Sequence, residues 1–248
     1  RELTIWSQLK HRCVAEFYGF WADFTTGKAW LISPWAPYGS VRDFVGSRDL
    51  LNVGSQVYDT VDGLKYLHSQ SVCHGDIKAA NVLVNAERRA VLCDLGLARL
   101  HDENFARLES TAALSKGSIR WCSPELFQDG PRSPQSDMWA WAWLVWEIMT
   151  GRLPYQEVKA DITVLAKIFE AKRPDIDNNA QLEECAELWD LMTKCWETDP
   201  ATRPTSADCR NVVSWMVRSD ERRRDLGADH PHITLAAMPT PRPRYRKL

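Results

Sequence analysis

The chain has 248 residues, 44% hydrophobic and 26% charged, proportions that exclude a wholly disordered, collagen-like or fibrous protein. Its 31 Lys and Arg balance 33 Asp and Glu for a net charge of -2, so overall charge draws it neither to nucleic acid nor to an anionic membrane. At this length folding buries roughly 70–75% of the extended chain's surface, enough for one large domain or two small lobes.

In chain order, Leu3, Ile5, Trp6 and Leu9 fall at helical spacing, but nothing caps that helix and its first turn is missing, so it reads as cut at its front. Together with the absent initiator Met, this gives the expectation of a sequence that starts in mid-protein. Runs rich in aromatic and β-branched residues over 15–22 and 28–35 flank Asp23-Phe24-Thr25-Thr26-Gly27 and predict a hairpin. A lone hairpin is marginal in water, so this pair needs support from other strands or a larger body. Val57, Val61, Leu64 and Leu67 make one apolar face and predict a helix over 54–69.

Short strands follow at 82–84 and 90–93, around a turn at 85–89. The polar stretch 99–116 reads as a mobile functional loop. Helices are predicted over 134–150, 161–171, 181–196 and 205–217. The first contains Met138 to Met149, the longest apolar run, which is too short for the roughly 20 residues of a membrane span and predicts a core helix. Its Trp139, Trp141, Trp143 and Trp146 read as core. From Met238 onward, prolines and basic residues without an acid predict a disordered tail. Seven cysteines show no C-x-x-C pair, and the N-terminus shows no secretory pattern, which together point to reduced thiols and a cytoplasmic setting.

The chemistry concentrates in Val72-Cys73-His74-Gly75-Asp76-Ile77-Lys78-Ala79-Ala80-Asn81-Val82-Leu83, followed by Cys93-Asp94-Leu95-Gly96. The pattern His-x-Asp-x-Lys-x-x-Asn and then Asp-Leu-Gly resembles the catalytic and metal-binding loops of eukaryotic protein kinases. Ser123-Pro124-Glu125, Asp137-Met138-Trp139 and Asp199-Pro200-Ala201-Thr202-Arg203-Pro204 follow in the family's order, so the resemblance runs from Arg1 to about Trp215. Lys78 and Ser118 resemble the serine/threonine type, and the surrounding residues the tyrosine-kinase-like group within it.

The resemblance implies an α+β, predominantly α fold of the protein-kinase type. Its parts would be an incomplete small lobe over 1–35, with one helix and a two-stranded remnant, a mostly helical large lobe over 36–217, and a basic tail over 218–248. It implies ATP and Mg2+ as cofactors and a protein substrate as partner. Asp76 would orient the acceptor hydroxyl and take its proton, with Lys78 beside it offsetting charge on the phosphate. Asn81 and Asp94 would hold magnesium through hard oxygens. Leu83 would lie below the adenine, with Ser33, Trp35 and Ala36 in the segment linking the lobes. His74 would be a structural ring, Asp137 an anchor for the catalytic loop, and Glu125 with Arg203 a buried ion pair.

Two departures stand out. Gly75 takes the place of the family's usual arginine, which removes the cation that would pair with a phosphorylated Ser110, Thr111 or Ser115. Glu2 matches the helix glutamate, yet its lysine partner and the Gly-rich loop would lie ahead of Arg1. The expectation is therefore a serine/threonine kinase domain not competent as these residues alone. As a fragment without its first strands, it would leave the apolar faces of helix 2–9 and of the hairpin open and be poorly soluble alone. The alternative is a truncated pseudokinase acting as a protein-binding scaffold.

Overall fold

The structure is a computed structural model and describes residues 2–46, 53–100, 118–128, 130–175 and 180–225. Helix α1 (Glu2–Trp6) is followed by a hairpin of β1 (Gly19–Asp23) and β2 (Lys28–Ile32). Trp21 pairs with Trp30 across it, and Asp23 accepts from the Thr25 and Thr26 hydroxyls at 2.6 and 2.7 Å to fix the turn. Every residue of β2 is exposed, so the hairpin does present an open apolar face. The helix does not. Ile5, Trp6 and Leu9 are buried, Trp6 Nε1 donates to Ala15 O at 2.6 Å, and its ring packs on Phe17. The expected exposure of that helix is corrected, because the chain folds back beneath it.

The segment that follows is stitched to β5 (Ala90–Leu92) by Leu92 N donating to Cys13 O and Ala15 N donating to Leu92 O. Gly63 makes this approach possible, since a Cβ there would stand 2.8 Å from Cys13 O and 2.9 Å from Leu92 Cδ1. Gly63 lies on α3 (Val53–Ser69), which carries the predicted apolar face. Before it comes α2 (Val41–Gly46), whose Ser40 Oγ and Asp43 carboxylate exchange hydrogen bonds with each other's backbone N–H.

Strand β4 (Val82–Val84) pairs antiparallel with β5. The two-residue strand β3 (Val72–Cys73) pairs with β6 (Arg99–Leu100), so the start of the expected 99–116 loop is a strand. Its remainder, with Ser110, Thr111 and Ser115, lies outside the described residues.

Helix α4 (Pro134–Thr150) is the centre of the large body. Ser133 and Ser136 form a capping box, Pro134 sits where no amide partner is needed, and Gly151 closes the end at φ 66°. Trp139, Trp141, Trp143 and Trp146 are all buried, as expected. Around it pack α5 (Asp161–Phe169), α6 (Ala180–Glu183), α7 (Ala186–Cys195) and α8 (Ser206–Asp225). The helix expected over 181–196 is thus two helices. The last helix runs past its expected end to Asp225, which moves part of the expected tail into the fold, while residues 226–248 lie outside the described ones.

On the flank of α3, Asp62 binds Arg12 Nη2 and Arg210 Nε at 2.9 Å each. That carboxylate fastens both the N-terminal segment and α8 to one helix.

Candidate active site

Local chemistry shapes the loop between β3 and β4. Asp137, fully buried in the first turn of α4, accepts from His74 N and Gly75 N at 2.8 Å each, while His68 Nε2 lies 3.0 Å from it. Burial pushes its pKa up, but the hydrogen bond from His68 and the backbone amides outweigh burial and hold it below the usual carboxylate range. A single ionised side chain therefore pins the start of the loop. His74 Nδ1 accepts from Asp76 N at 3.3 Å and its Nε2 lies 3.0 Å from Cys93 O, the pattern of a neutral ring protonated at Nε2. Burial lowers its pKa and keeps it so. His74 thus braces the loop against the residue preceding Asp94.

Gly75 adopts φ 78°, a conformation open to glycine. Its carbonyl accepts a hydrogen bond from Arg132 Nη1. A cation expected to be missing from this loop therefore reaches its backbone from the segment before α4. Sequence reading did not single out Arg132, which no motif marks.

Four of the singled-out side chains, Asp76, Lys78, Asn81 and Ser118, meet in one cluster. Lys78 Nζ donates to Asp76 Oδ2 at 2.8 Å and to Ser118 Oγ at 2.7 Å. Asn81 Nδ2 donates to Asp76 Oδ2 at 2.7 Å and to Asp76 O at 2.9 Å. Burial raises the Asp76 pKa, yet hydrogen bonds from Lys78 and Ser118, the Lys78 charge and Asn81 together hold it below its ordinary value. Asp76 is ionised at neutral pH. With its amide nitrogen donating to Asp76, Asn81 Oδ1 accepts no hydrogen bond among the described residues and is an oxygen donor of the kind a metal takes.

Asp94 is exposed and left-handed at φ 58°, and its Oδ1 accepts only weakly from Gly96 N at 3.3 Å. Cys93 N donates to Asn81 O at 3.0 Å, which holds Asp94 alongside Asn81. A carboxylate and an amide carbonyl are hard donors of the kind magnesium accepts, so the donor set fits that ion. Among the described residues no group of three or more His, Cys, Asp and Glu could hold a metal.

Leu83 is half-buried between the fully buried Val82 and Val84, so it faces away from the core. Gly39 N donates to Ala36 O, and Ser40 bridges Leu83, which ties the Ser33–Ala36 segment to that strand. Trp35 itself is 87% exposed.

Glu147 and Arg120 are further parts of the site that sequence reading missed. Glu147 Oε2 accepts from Ala79 N at 2.9 Å and from Trp121 Nε1 at 2.8 Å, joining the catalytic loop to the segment after Ser118. Burial pushes its pKa up to about 7. Arg120 donates to Pro154 O, Tyr155 O and Val158 O at 2.7–2.9 Å, fastening the same segment to the loop after α4. The signal for Glu147 was a lone acid within an apolar run, where burial requires a partner.

Residues 1–213 match the family described as protein tyrosine and serine/threonine kinase. Serine/threonine-protein kinase STY17 of Arabidopsis thaliana is 28% identical over 91% of this chain and 39% of its own length. Serine/threonine-protein kinase CTR1 of Arabidopsis thaliana is 27% identical over 88% of this chain and 26% of its own. Platelet-derived growth factor receptor alpha of Takifugu rubripes is 30% identical over 76% of this chain and 18% of its own. The chain therefore matches well under half the length of these relatives. Among the described residues no helix is long and apolar enough to cross a membrane. By the extent of the family match, which takes in Asp76, Asn81, Asp94, Glu125 and Arg203, the chain belongs to the protein tyrosine and serine/threonine kinase family.

Proposed function

We propose that this domain transfers the γ-phosphate of ATP to serine or threonine hydroxyls of a protein substrate. The observation that carries the reading is Lys78 bridging the Asp76 carboxylate and the Ser118 hydroxyl. Phosphoryl transfer asks for positioning and charge compensation more than for covalent chemistry. The ionised, hydrogen-bonded Asp76 is a weak base held in one orientation, suited to aligning an acceptor hydroxyl and receiving its proton as transfer proceeds. Lys78 stands on the same carboxylate, where its charge offsets that of the phosphoryl oxygens.

Asn81 Oδ1 and Asp94 are the residues that would hold Mg2+, which when bound neutralises phosphate charge. Leu83 and the segment with Ser33, Trp35 and Ala36 form the side of the site where the adenine would lie. The serine/threonine assignment follows Lys78 and Ser118, in line with the names of the two Arabidopsis relatives. All seven cysteines are free thiols, which suits a reducing compartment such as the cytoplasm. The pseudokinase-scaffold alternative gives no reason for Asp76, Lys78 and Asn81 to converge on one carboxylate.

The test uses the protein isolated from its source, with Mg2+, labelled ATP and peptides bearing Ser, Thr or Tyr. Label is expected on Ser and Thr, and Asp76→Asn in the full-length protein should lower transfer by about 10²–10³ or more. Transfer indifferent to Asp76→Asn, or confined to Tyr, overturns the reading.

A further inference from the structure

A groove leads from the catalytic loop along the C-terminal end of α4. Its near part is a cavity of about 260 Å³ lined by Ala79, the residue after Lys78, together with Arg42, Glu147 and Arg152. Its far part is a cavity of about 520 Å³ with Trp143, Trp146 and Tyr155 in its wall and Lys172 and Arg173 among its cations. Arg152, Leu153 and Gln156 line both, so the two adjoin. Two joined cavities starting at the catalytic loop suit an extended chain better than a compact small molecule.

The charges in this groove do not cancel. Among the described residues, the side chains of Arg42, Arg152 and Lys172 make no ion pair and no hydrogen bond. Of the two acids present, Glu157 is paired with Lys167 at 2.7 Å. Glu147 lies within electrostatic reach of Arg42, but burial raises its pKa to about 7, so at neutral pH it offsets the charge of Arg42 only in part. Arg173 is held in place by Trp196 O at 2.7 Å and by the face of Trp139. In the wall of the larger cavity, Trp143, Trp146 and Tyr155 supply an apolar backing beneath the cations. The lining as a whole offers cations over an apolar wall.

We propose that this groove takes an acidic segment of the protein substrate, adjacent to the phosphorylated residue, and that Arg42 and Arg152 read its charge. The inference rests on Asp76 marking where the acceptor hydroxyl sits. Arg42 meets the acidic side chain closest to the acceptor, because it shares the near cavity with Ala79. Arg152 meets the next, at the junction of the cavities. Both side chains are exposed on the rim and can reach a carboxylate without desolvating a core.

The experiment is fluorescence anisotropy with the chain and labelled serine peptides, one flanked by Asp and Glu and the other by Asn and Gln, without ATP. The acidic peptide should bind about tenfold or more tighter, and the advantage should shrink as salt rises. Arg42→Ala and Arg152→Ala should each cut the ratio several-fold, and the pair should bring it near one. Arg152→Glu should turn the preference toward a lysine-flanked peptide, a gain that a misfolded variant could not show. Lys65→Ala, an exposed cation on α3 away from the groove, should leave the ratio unchanged.

Equal binding of both peptides overturns the proposal. So does a charge preference that survives the double variant, or one that Lys65→Ala weakens as much as Arg152→Ala does. Because binding is read without phosphate transfer, a preference found in a protein that transfers no phosphate strikes the kinase reading alone. Transfer with no preference strikes this inference alone.

Discussion

Arg203 grips Glu125 with both ends of its guanidinium, Nη1 to Oε1 at 2.7 Å and Nη2 to Oε2 at 2.8 Å. The same group donates to Glu197 O, Gln135 O and Thr198 O and lies 5.0 Å from the Trp139 ring centre. The end of the segment after Ser118 is thereby locked to the turn before α8 through a cation with no exposed surface.

Removing Arg203 leaves the half-buried Glu125 carboxylate, and three backbone carbonyls, without the cation they share. Arg203→Ala should cost about 3–5 kcal/mol in urea unfolding. Arg203→Lys keeps the charge but not the fork and should recover only part of that loss. Equal stability of Arg203→Lys and the parent would show that the bidentate geometry contributes nothing.

Glu147 predicts a pH dependence. Its folded pKa is raised from 4.5 to about 7, mainly by burial. An unfolded chain releases this proton first, so the folded state binds more protons between those values and stability falls as pH rises through that window. The whole effect is of the order of 3 kcal/mol and levels off above the folded value. Glu147→Gln keeps an oxygen for Ala79 N and Trp121 Nε1 and removes the titration. Its stability relative to the parent should therefore improve from pH 4.5 to 7.5 in urea melts, and a constant difference would sink the assignment.

Much of this was legible in the residues. Ser133, Pro134 and Gly151 are local stop and start signals, and α4 falls where they put it. The run from His74 to Asn81 and the Asp94 turn carry the spacing on which the resemblance to protein kinases rests, so Asp76, Lys78 and Asn81 could be singled out as candidates without their contacts. What stayed hidden is decided by tertiary partners. Strands β3 and β6 are two residues each and exist only through their pairing, and Glu147 becomes a site residue only when Ala79 and Trp121 close on it. The expected open face of α1 was covered by residues downstream of it, at Ala15 and Phe17. Helix α8 outlasts its apolar pattern because Glu221, Arg222, Arg223 and Arg224 include strong helix formers that need no buried face.

Gly63 offers a test in which two effects oppose. Alanine in a helix interior gains about 1 kcal/mol over glycine by propensity. Here its Cβ would stand 2.8 Å from the Cys13 carbonyl, a backbone atom fixed by Leu92 N, and 2.9 Å from Leu92 Cδ1. Backbone does not yield as a flexible side-chain end does, so the steric cost of about 1–3 kcal/mol should prevail. Gly63→Ala should lower the melting temperature, and any rise in it would mean that the N-terminal segment moves freely over α3.

Ser118 tests the electrostatics of the proposed catalytic group. Burial alone would raise the Asp76 pKa, and the hydrogen bonds from Lys78 and Ser118 rank next in holding it down. With a depressed pKa, the acid limb of phosphate transfer due to Asp76 lies below the ordinary carboxylate range, and rate should be flat through neutral pH. Ser118→Ala removes one of those donors and frees Lys78 Nζ from its second anchor. The acid limb should move upward, and kcat should fall by about tenfold as the lysine loses its fixed place. A structural role alone would lower stability without moving the pH profile. A profile of kcat/KM measured from pH 4 to 8 on both proteins separates the two, because only a change in Asp76 itself shifts the limb.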